Sequence, residues 1–118
     1  LEVDLTGAIN GECVGGRRIG GIGGLPDFVV GALSARGGRS IIALPATAAG
    51  GSASRIVPRL NGPTTMPAAF ADVVVTEHGR AELRGQGLAE RARRLIAIAA
   101  PELRETLNRE AFDAGTFA

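Results

Sequence analysis

The chain has 118 residues and a mass of 12.0 kDa, which is enough for a single domain, residues 1–118, built around one core. Hydrophobic residues make up 45% and charged residues 21%, so the composition is that of a globular protein and excludes a disordered chain or a rod. The chain has 13 basic residues, all arginine, and 12 acidic ones. The resulting net charge of +1 gives no electrostatic field that would attract nucleic acid or an anionic membrane.

The residue types that are rare or absent exclude further classes of protein. The chain has no Trp, no Tyr and four Phe, so it lacks the aromatic platforms on which single-stranded nucleic acid stacks. Its apolar runs are far shorter than the roughly 18 residues of a membrane span, and it shows no signal-peptide pattern. One cysteine, Cys13, and one histidine, His78, predict no intrachain disulfide and no metal site, and a cytoplasmic location is the simplest expectation.

The first residues predict two short strands and a loop. Residues 1–6 alternate apolar and polar side chains, as a half-buried strand does, and residues 8–14 are expected to pair with them as a hairpin. Because the chain starts with Leu1 directly inside this strand pattern, we expect that it is a fragment lacking an N-terminal portion. Residues 15–24 contain six glycines, which predicts a loop because glycine disfavours the interior of helices and strands.

The middle of the chain predicts alternating helix and strand. Proline and aspartate in a first turn and apolar residues at helical spacing predict a helix over residues 26–35. Residues 40–44 form a continuous apolar run and predict a buried strand, residues 46–54 predict a loop of small residues, and residues 55–60 predict another strand.

The last part predicts one strand and two helices. Residues 61–71 are expected to be irregular, whereas Val73–Thr76 is the strongest strand prediction because it is β-branched throughout. An apolar stripe predicts a helix from Leu88 with a solvated opposite face that includes Arg91, and Pro101 begins a second helix. Strands alternating with helices predict an α/β fold, an open mixed or parallel sheet flanked by helices.

The segment Gly20-Gly21-Ile22-Gly23-Gly24, called the glycine loop below, leads directly into the first predicted helix. Its free backbone N–H groups and the positive end of that helix could hold a phosphate or a transient oxyanion. It is a poor dinucleotide fingerprint, because Pro26 stands where the last glycine or alanine belongs. The alternative is that the glycines only let chain segments cross closely.

Glu77 directly follows the strongest predicted strand and precedes a glycine, Gly79, that permits a sharp turn. The carboxyl ends of strands are where ligands bind in open α/β sheets, and the glycine loop and Glu77 are both expected there. A carboxylate in this place could act as a nucleophile, a base or a hydrogen-bond anchor. The alternative is an ion pair with a nearby arginine such as Arg80 or Arg84.

Seven segments, in this order, resemble the C-terminal domain of the acetyl-CoA hydrolase and CoA-transferase family, which includes 4-hydroxybutyrate, butyrate and succinyl-CoA:acetate CoA-transferases. The resemblance runs from Leu1 to about Leu107, and each segment is a weak signal by itself. The segments are Val3-Asp4-Leu5-Thr6-Gly7, Gly21-Ile22-Gly23-Gly24 with Asp27-Phe28, Ser40-Ile41-Ile42-Ala43-Leu44-Pro45, Ser54-Arg55-Ile56-Val57-Pro58, Val74-Val75-Thr76-Glu77-His78-Gly79, Ala81-Glu82-Leu83-Arg84-Gly85 and Glu90-Arg91-Ala92.

The resemblance implies a class I CoA-transferase mechanism, in which a glutamate attacks an acyl-CoA thioester and a glutamyl-CoA thioester forms. The oxyanion donor of the family corresponds best to the N–H of Gly24, with Gly23 giving the backbone room to approach. By the same resemblance Gly21, Ile22, Gly23 and Gly24 contact coenzyme A, and Glu77 lines the CoA and acyl pocket in a positioning role. The nucleophilic glutamate of the family lies before Val3, and no residue of this chain matches it.

The resemblance also sets expectations about partners and alternatives. Acyl-CoA and a small carboxylate are the implied substrates, no cofactor is bound covalently, and the missing N-terminal domain and a homodimer complete the assembly. Departures from the family at Leu25-Pro26, Val30, Ala68 and His78 remove two positive charges near the cleft and leave the acyl acceptor open. An acetyl-CoA hydrolase and a non-catalytic acyl-CoA-binding module remain alternatives to a transferase.

Overall fold

The computed structural model of this protein describes residues 1–117, and within them three α-helices pack with two three-stranded sheets and two short ribbons. The helices are α1 Leu25–Ser34, α2 Leu88–Ala97 and α3 Arg104–Asp113. The strands are β1 Glu2–Asp4, β2 Ile9–Asn10, β3 Cys13–Val14, β4 Arg17–Arg18, β5 Ile41–Ala43, β6 Thr47–Ala48, β7 Ala53–Ser54, β8 Ile56–Val57, β9 Val73–Thr76 and β10 Gly79–Glu82.

The first sheet has the order β2-β1-β8, with β1 antiparallel to β2 and parallel to β8. The predicted hairpin between residues 1–6 and 8–14 is confirmed for β1 and β2. The Asp4 carboxylate closes its turn by accepting hydrogen bonds from the N–H groups of Thr6 at 2.9 Å and Ala8 at 3.1 Å. Gly7 adopts a φ of 96°, a left-handed conformation that a side chain would strain.

The second sheet has the order β10-β9-β5, with β9 parallel to β5 and antiparallel to β10. Asp72, which precedes β9 and is 3% exposed, fixes this sheet by accepting hydrogen bonds from Ser40 N–H at 3.0 Å and Arg84 Nε at 2.8 Å. The predicted strand at Val73–Thr76 is confirmed. Strand β10 was not predicted, because its Gly-Arg-Ala-Glu sequence carries no apolar alternation.

The core lies between the two three-stranded sheets and helices α2 and α3. Helix α2 buries Ala92, Leu95 and Ile96 on the stripe predicted from Leu88. The expectation that Arg91 lies on the solvated face is wrong. Its guanidinium donates to the carbonyl oxygens of Thr6 at 3.0 Å, Ala68 at 2.9 Å and Gln86 at 3.1 Å, so it joins α2 to the β1–β2 turn.

Three further predictions need correction in detail. The run 40–44 is not buried on both faces, because Ile42 is 4% exposed whereas Ile41 is 61% exposed, so β5 alternates instead. The predicted loop 46–54 contains the β6–β7 ribbon, and the glycine-rich segment 15–24 contains β4. Runs of two paired residues are too short to leave a periodic signal in the sequence.

The predicted mixed α/β class is confirmed. The difference from the expected architecture is that the strands form two mixed sheets and two ribbons instead of one open sheet. No helix within residues 1–117 is long and apolar enough to cross a membrane.

Candidate active site

The glycine loop links the β3–β4 ribbon to the first turn of α1. Because β4 belongs to that separate ribbon, the expectation that the loop leaves the same parallel sheet as Glu77 is wrong. The loop is solvent-exposed along its length, and Gly24 is the N-cap residue of α1, with a φ of −86° and a ψ of 1°. Among residues 1–117 no side chain caps this helix N-terminus, so its first N–H groups remain available to an external acceptor.

The amides of the loop are free from Gly21 onward. At its base the N–H groups of Ile19 and Gly20 donate to the carbonyl oxygen of Glu12, at 2.8 and 3.3 Å. Within residues 1–117, the N–H groups of Gly21 through Gly24 donate to no protein acceptor. The loop therefore offers unpaired donors at the positive end of a helix, which is the arrangement that binds an anion.

The space around the glycines argues against the alternative of a close chain crossing. A Cβ built on Gly20, Gly21 or Gly23 would meet no other atom of the described chain within 4 Å. Gly23 needs to be glycine for its φ of 58°, whereas Gly20 and Gly21 lie outside the left-handed region. Packing within residues 1–117 therefore does not account for glycine at positions 20 and 21.

Glu12 anchors the base of the loop, a role that its sequence context did not predict. Its side chain is 8% exposed and pairs with Arg18 at 3.1 Å, while Thr65 Oγ1 donates to it at 2.8 Å. Its backbone carbonyl receives the two amides at the start of the glycine loop. The available signal was an acidic residue inside a predicted strand, because a carboxylate is buried there only when charged or polar groups satisfy it.

Glu77 lies in the two-residue turn between β9 and β10, as predicted. Ala46, which follows β5, donates its N–H to Glu77 Oε2 at 2.8 Å, so the carboxylate bridges the ends of two parallel strands. The alternative pairing with Arg80 or Arg84 is wrong, since Arg80 lies 3.7 Å from Glu82 and Arg84 binds Asp72.

The electrostatic state of Glu77 follows from its hydrogen bonds. Its own backbone amide and that of Ala46 hold the pKa of Glu77 below its ordinary value, and His78, whose Nε2 lies 3.8 Å from Oε1, adds to this effect. The carboxyl is half-exposed and ionised at neutral pH. A group in this state accepts hydrogen bonds or repels a second anion, and it does not act as a general acid.

An apolar groove lies between α1 and the start of β5. It has a volume of about 240 Å³ and is lined by Leu25, Phe28, Val29 and Ala32 of α1 and by residues 39–42 at the start of β5. This hollow is called the α1–β5 groove below. It contains neither Glu77 nor Gly21–Gly24, so the described chain does not bring all the predicted site residues to one cavity.

The mixed α/β fold with an open glycine loop ahead of a helix is that of a CoA-transferase-type domain. Residues 1–111 match the acetyl-CoA hydrolase/transferase C-terminal domain, and the chain belongs to this family. The 4-hydroxybutyrate coenzyme A transferase of Clostridium kluyveri is 46% identical over 112 residues, which are 93% of this chain and 26% of that protein.

Solved structures with a similar fold support this family assignment. RipA of Yersinia pestis superimposes with a TM-score of 0.90 at 46% identity, covering 98% of this chain and 26% of that chain. The 4-hydroxybutyrate CoA-transferase of Porphyromonas gingivalis gives a TM-score of 0.72 at 40% identity, covering 97% of this chain and 25% of that chain. The chain therefore spans about a quarter of the length of the relatives it matches.

Proposed function

We propose that this chain is the C-terminal part of an acyl-CoA:carboxylate CoA-transferase and that it supplies the oxyanion-binding glycine loop and part of the CoA and acyl pocket. The observation that carries the proposal is the row of unpaired N–H groups from Gly21 to Gly24 ahead of α1. The relatives named as CoA-transferases, at 40–46% identity, give the substrate class: an acyl-CoA and a small carboxylate.

The first chemical step is attack by a glutamate carboxylate outside residues 1–118 on the thioester carbonyl carbon. A new C–O bond forms, the carbonyl oxygen becomes an oxyanion, and collapse of this intermediate breaks the C–S bond and releases CoA as a thiolate. The thiolate then attacks the glutamyl carbonyl, and the acyl group leaves as a carboxylate. The product is a glutamyl-CoA thioester, which a second carboxylate resolves by the reverse sequence.

In this reaction the Gly24 N–H donates to the oxyanion. One such donor lowers the barrier by about 3 kcal/mol, because it is already oriented when the charge develops. Gly21 and Gly23 bring bare backbone against the thioester and the CoA chain, and the exposed Ile22 side chain contacts the CoA chain. Anchoring by Glu12 keeps the donors in place before substrate binds, which is what preorganisation requires.

Glu77 takes a positioning role in the pocket. Because it is ionised and held by Ala46, it offers a fixed acceptor to a hydroxyl or amide group of the bound CoA chain. The negative charge of Glu77 also repels an unbound carboxylate substrate from the strand ends. An acetyl-CoA hydrolase uses the same glycine loop, and differs in that water resolves the intermediate.

A chimaeric enzyme tests the proposal. Residues 1–111 would replace the matched quarter of the Clostridium kluyveri 4-hydroxybutyrate coenzyme A transferase, and CoA transfer from acetyl-CoA to 4-hydroxybutyrate would be measured. We expect transferase activity and a glutamyl adduct that hydroxylamine releases. A folded chimaera that binds CoA and forms no adduct would contradict the function. An adduct that yields free CoA, and no new acyl-CoA when a carboxylate is added, would identify the hydrolase.

A further inference from the structure

Helix α1 is apolar nearly all round, and yet it is barely buried. Its ten residues contain one charged side chain, Asp27, and only Val29 is buried within the described chain. Phe28 is 82% exposed and Val30 is 49% exposed. Leu25 and Leu33 are half-buried against the core, so residues 1–117 cover one side of α1 and leave its other apolar side exposed. A helix that is apolar on most sides is usually enclosed by protein.

Strand β5, beside α1, is an open edge of its sheet. The backbone bonds that join β5 to β9 begin at Ser40 and end at Leu44, on alternate residues. The backbone groups of Ile41 and Ala43 therefore point away from β9, toward the open edge. An exposed apolar edge of this kind pairs readily with another strand, and folded proteins cover or charge such edges.

The two features form one surface. Phe28 and Ala32 of α1 border both the α1–β5 groove and a neighbouring hollow of about 410 Å³ that also includes Asp27 and Gly31. Ile41 borders the groove from the strand side and is 61% exposed. An apolar helix, an apolar edge strand and the hollows between them make a continuous patch, which marks an interaction site rather than an ordinary surface.

The length of the relatives identifies the occupant. In RipA and in the Clostridium kluyveri transferase, the region that this chain matches is 26% of the protein. The other three-quarters of such an enzyme must pack on this quarter for a shared active site to exist, and the patch is the apolar surface available to it. A second copy of this chain would leave the glycine loop without the glutamate that the reaction needs.

We propose that the α1–β5 face is the docking surface for the remaining three-quarters of a CoA-transferase, which adds a strand to the edge of β5 and packs apolar side chains on Phe28 and Ile41. This inference rests on the proposed function for the identity of the occupant. It also explains why the groove contains no catalytic residue: it carries the contact that brings the nucleophile to the glycine loop.

A binding experiment tests the surface with matched variants. The chain and the Clostridium kluyveri transferase lacking its matched quarter would be purified separately. Complex formation would then be measured by titrating one with the other. We expect a 1:1 complex that Phe28→Ser or Ile41→Ser weakens at least ten-fold. Phe112→Ser, at a phenylalanine on α3 that is 73% exposed, is the control and should leave binding unchanged. Equal weakening by Phe112→Ser, or no complex, would overturn the proposal.

Hydrogen exchange on the chain alone gives an independent measurement. The amides of α1 should exchange at least ten-fold faster than those of α2, and the complex should slow α1 and β5 selectively. Equal protection of α1 and α2 in the free chain, or a homodimer that protects α1, would overturn the docking surface. A complex that assembles through this face and transfers no acyl group would contradict the proposed function and leave the docking surface standing.

Discussion

Helices α1 and α2 have the same length, ten residues, and opposite relations to the described chain. Helix α2 carries charged residues on one side and buries Ala92, Leu95 and Ile96 on the other, so its sequence and its surroundings agree. Helix α1 has an apolar sequence and buries one side chain, Val29. The contrast teaches that α2 buries its apolar side within residues 1–117, whereas α1 leaves most of its apolar surface exposed, as the proposed docking surface requires.

The largest expected effect distinguishes the two helices directly. Leu95→Ala removes a side chain that is fully buried, so it should lower the free energy of unfolding by about 3 kcal/mol. Phe28→Ala removes a larger side chain that is 82% exposed and should change it by less than about 0.5 kcal/mol. Urea unfolding of the chain alone measures both. Similar losses from the two variants would show that α1 is enclosed after all.

The next effect concerns Asp72, which holds the start of β5 in place beside α1. Asp72→Ala leaves the Ser40 amide without its acceptor and should destabilise the chain by about 2 kcal/mol. The hydrogen bond from Arg84 is the first cause that holds the pKa of Asp72 below its ordinary value.

This pKa predicts a pH dependence. A carboxyl whose pKa is lowered by folding stabilises the protein above the pKa of the unfolded chain, about 3.9, and loses that contribution as the pH falls through the folded value. Acid should therefore destabilise the unmodified chain more steeply than Asp72→Asn below about pH 4. Parallel stability curves for the two proteins would contradict an ionised, hydrogen-bonded Asp72.

Much of the order of elements was predictable, because apolar spacing and β-branching report local structure. The strand at Val73–Thr76, the helix from Leu88 and the first hairpin were found in this way. The roles of Glu12 and Arg91 were not predictable, because each depends on carbonyl oxygens that come close only in the folded chain.

The candidate site shows the same division. The glycine loop and Glu77 were predictable from residue type and from their places ahead of a helix and after a strand. The partner of Glu77, the amide of Ala46, was not, since it belongs to a residue 31 positions earlier in the sequence. The exposure of Ile41 was not predicted, because a continuous apolar run has the same sequence pattern whether the described chain covers both faces of the strand or only one.

A smaller effect is expected at the base of the glycine loop. Glu12→Ala removes the ion pair with Arg18 and the acceptor of Thr65, and should cost about 1 kcal/mol of stability. The amides of Ile19 and Gly20 should exchange faster with solvent, whereas those of α2 stay protected. Unchanged exchange at the loop would mean that the Glu12 side chain does not hold the backbone carbonyl that these amides bind.

The measurement that bears most directly on the glycine loop compares two substitutions of Gly24 in the assembled enzyme. Gly24→Pro removes the N–H at a φ of −86°, about 20° from the value that proline prefers, whereas Gly24→Ala keeps the N–H and places a Cβ 3.3 Å from the Phe28 ring. We predict that kcat for CoA transfer falls roughly 100-fold with proline and less than about three-fold with alanine. Equal kcat values for the two folded variants would contradict an oxyanion held by the Gly24 amide.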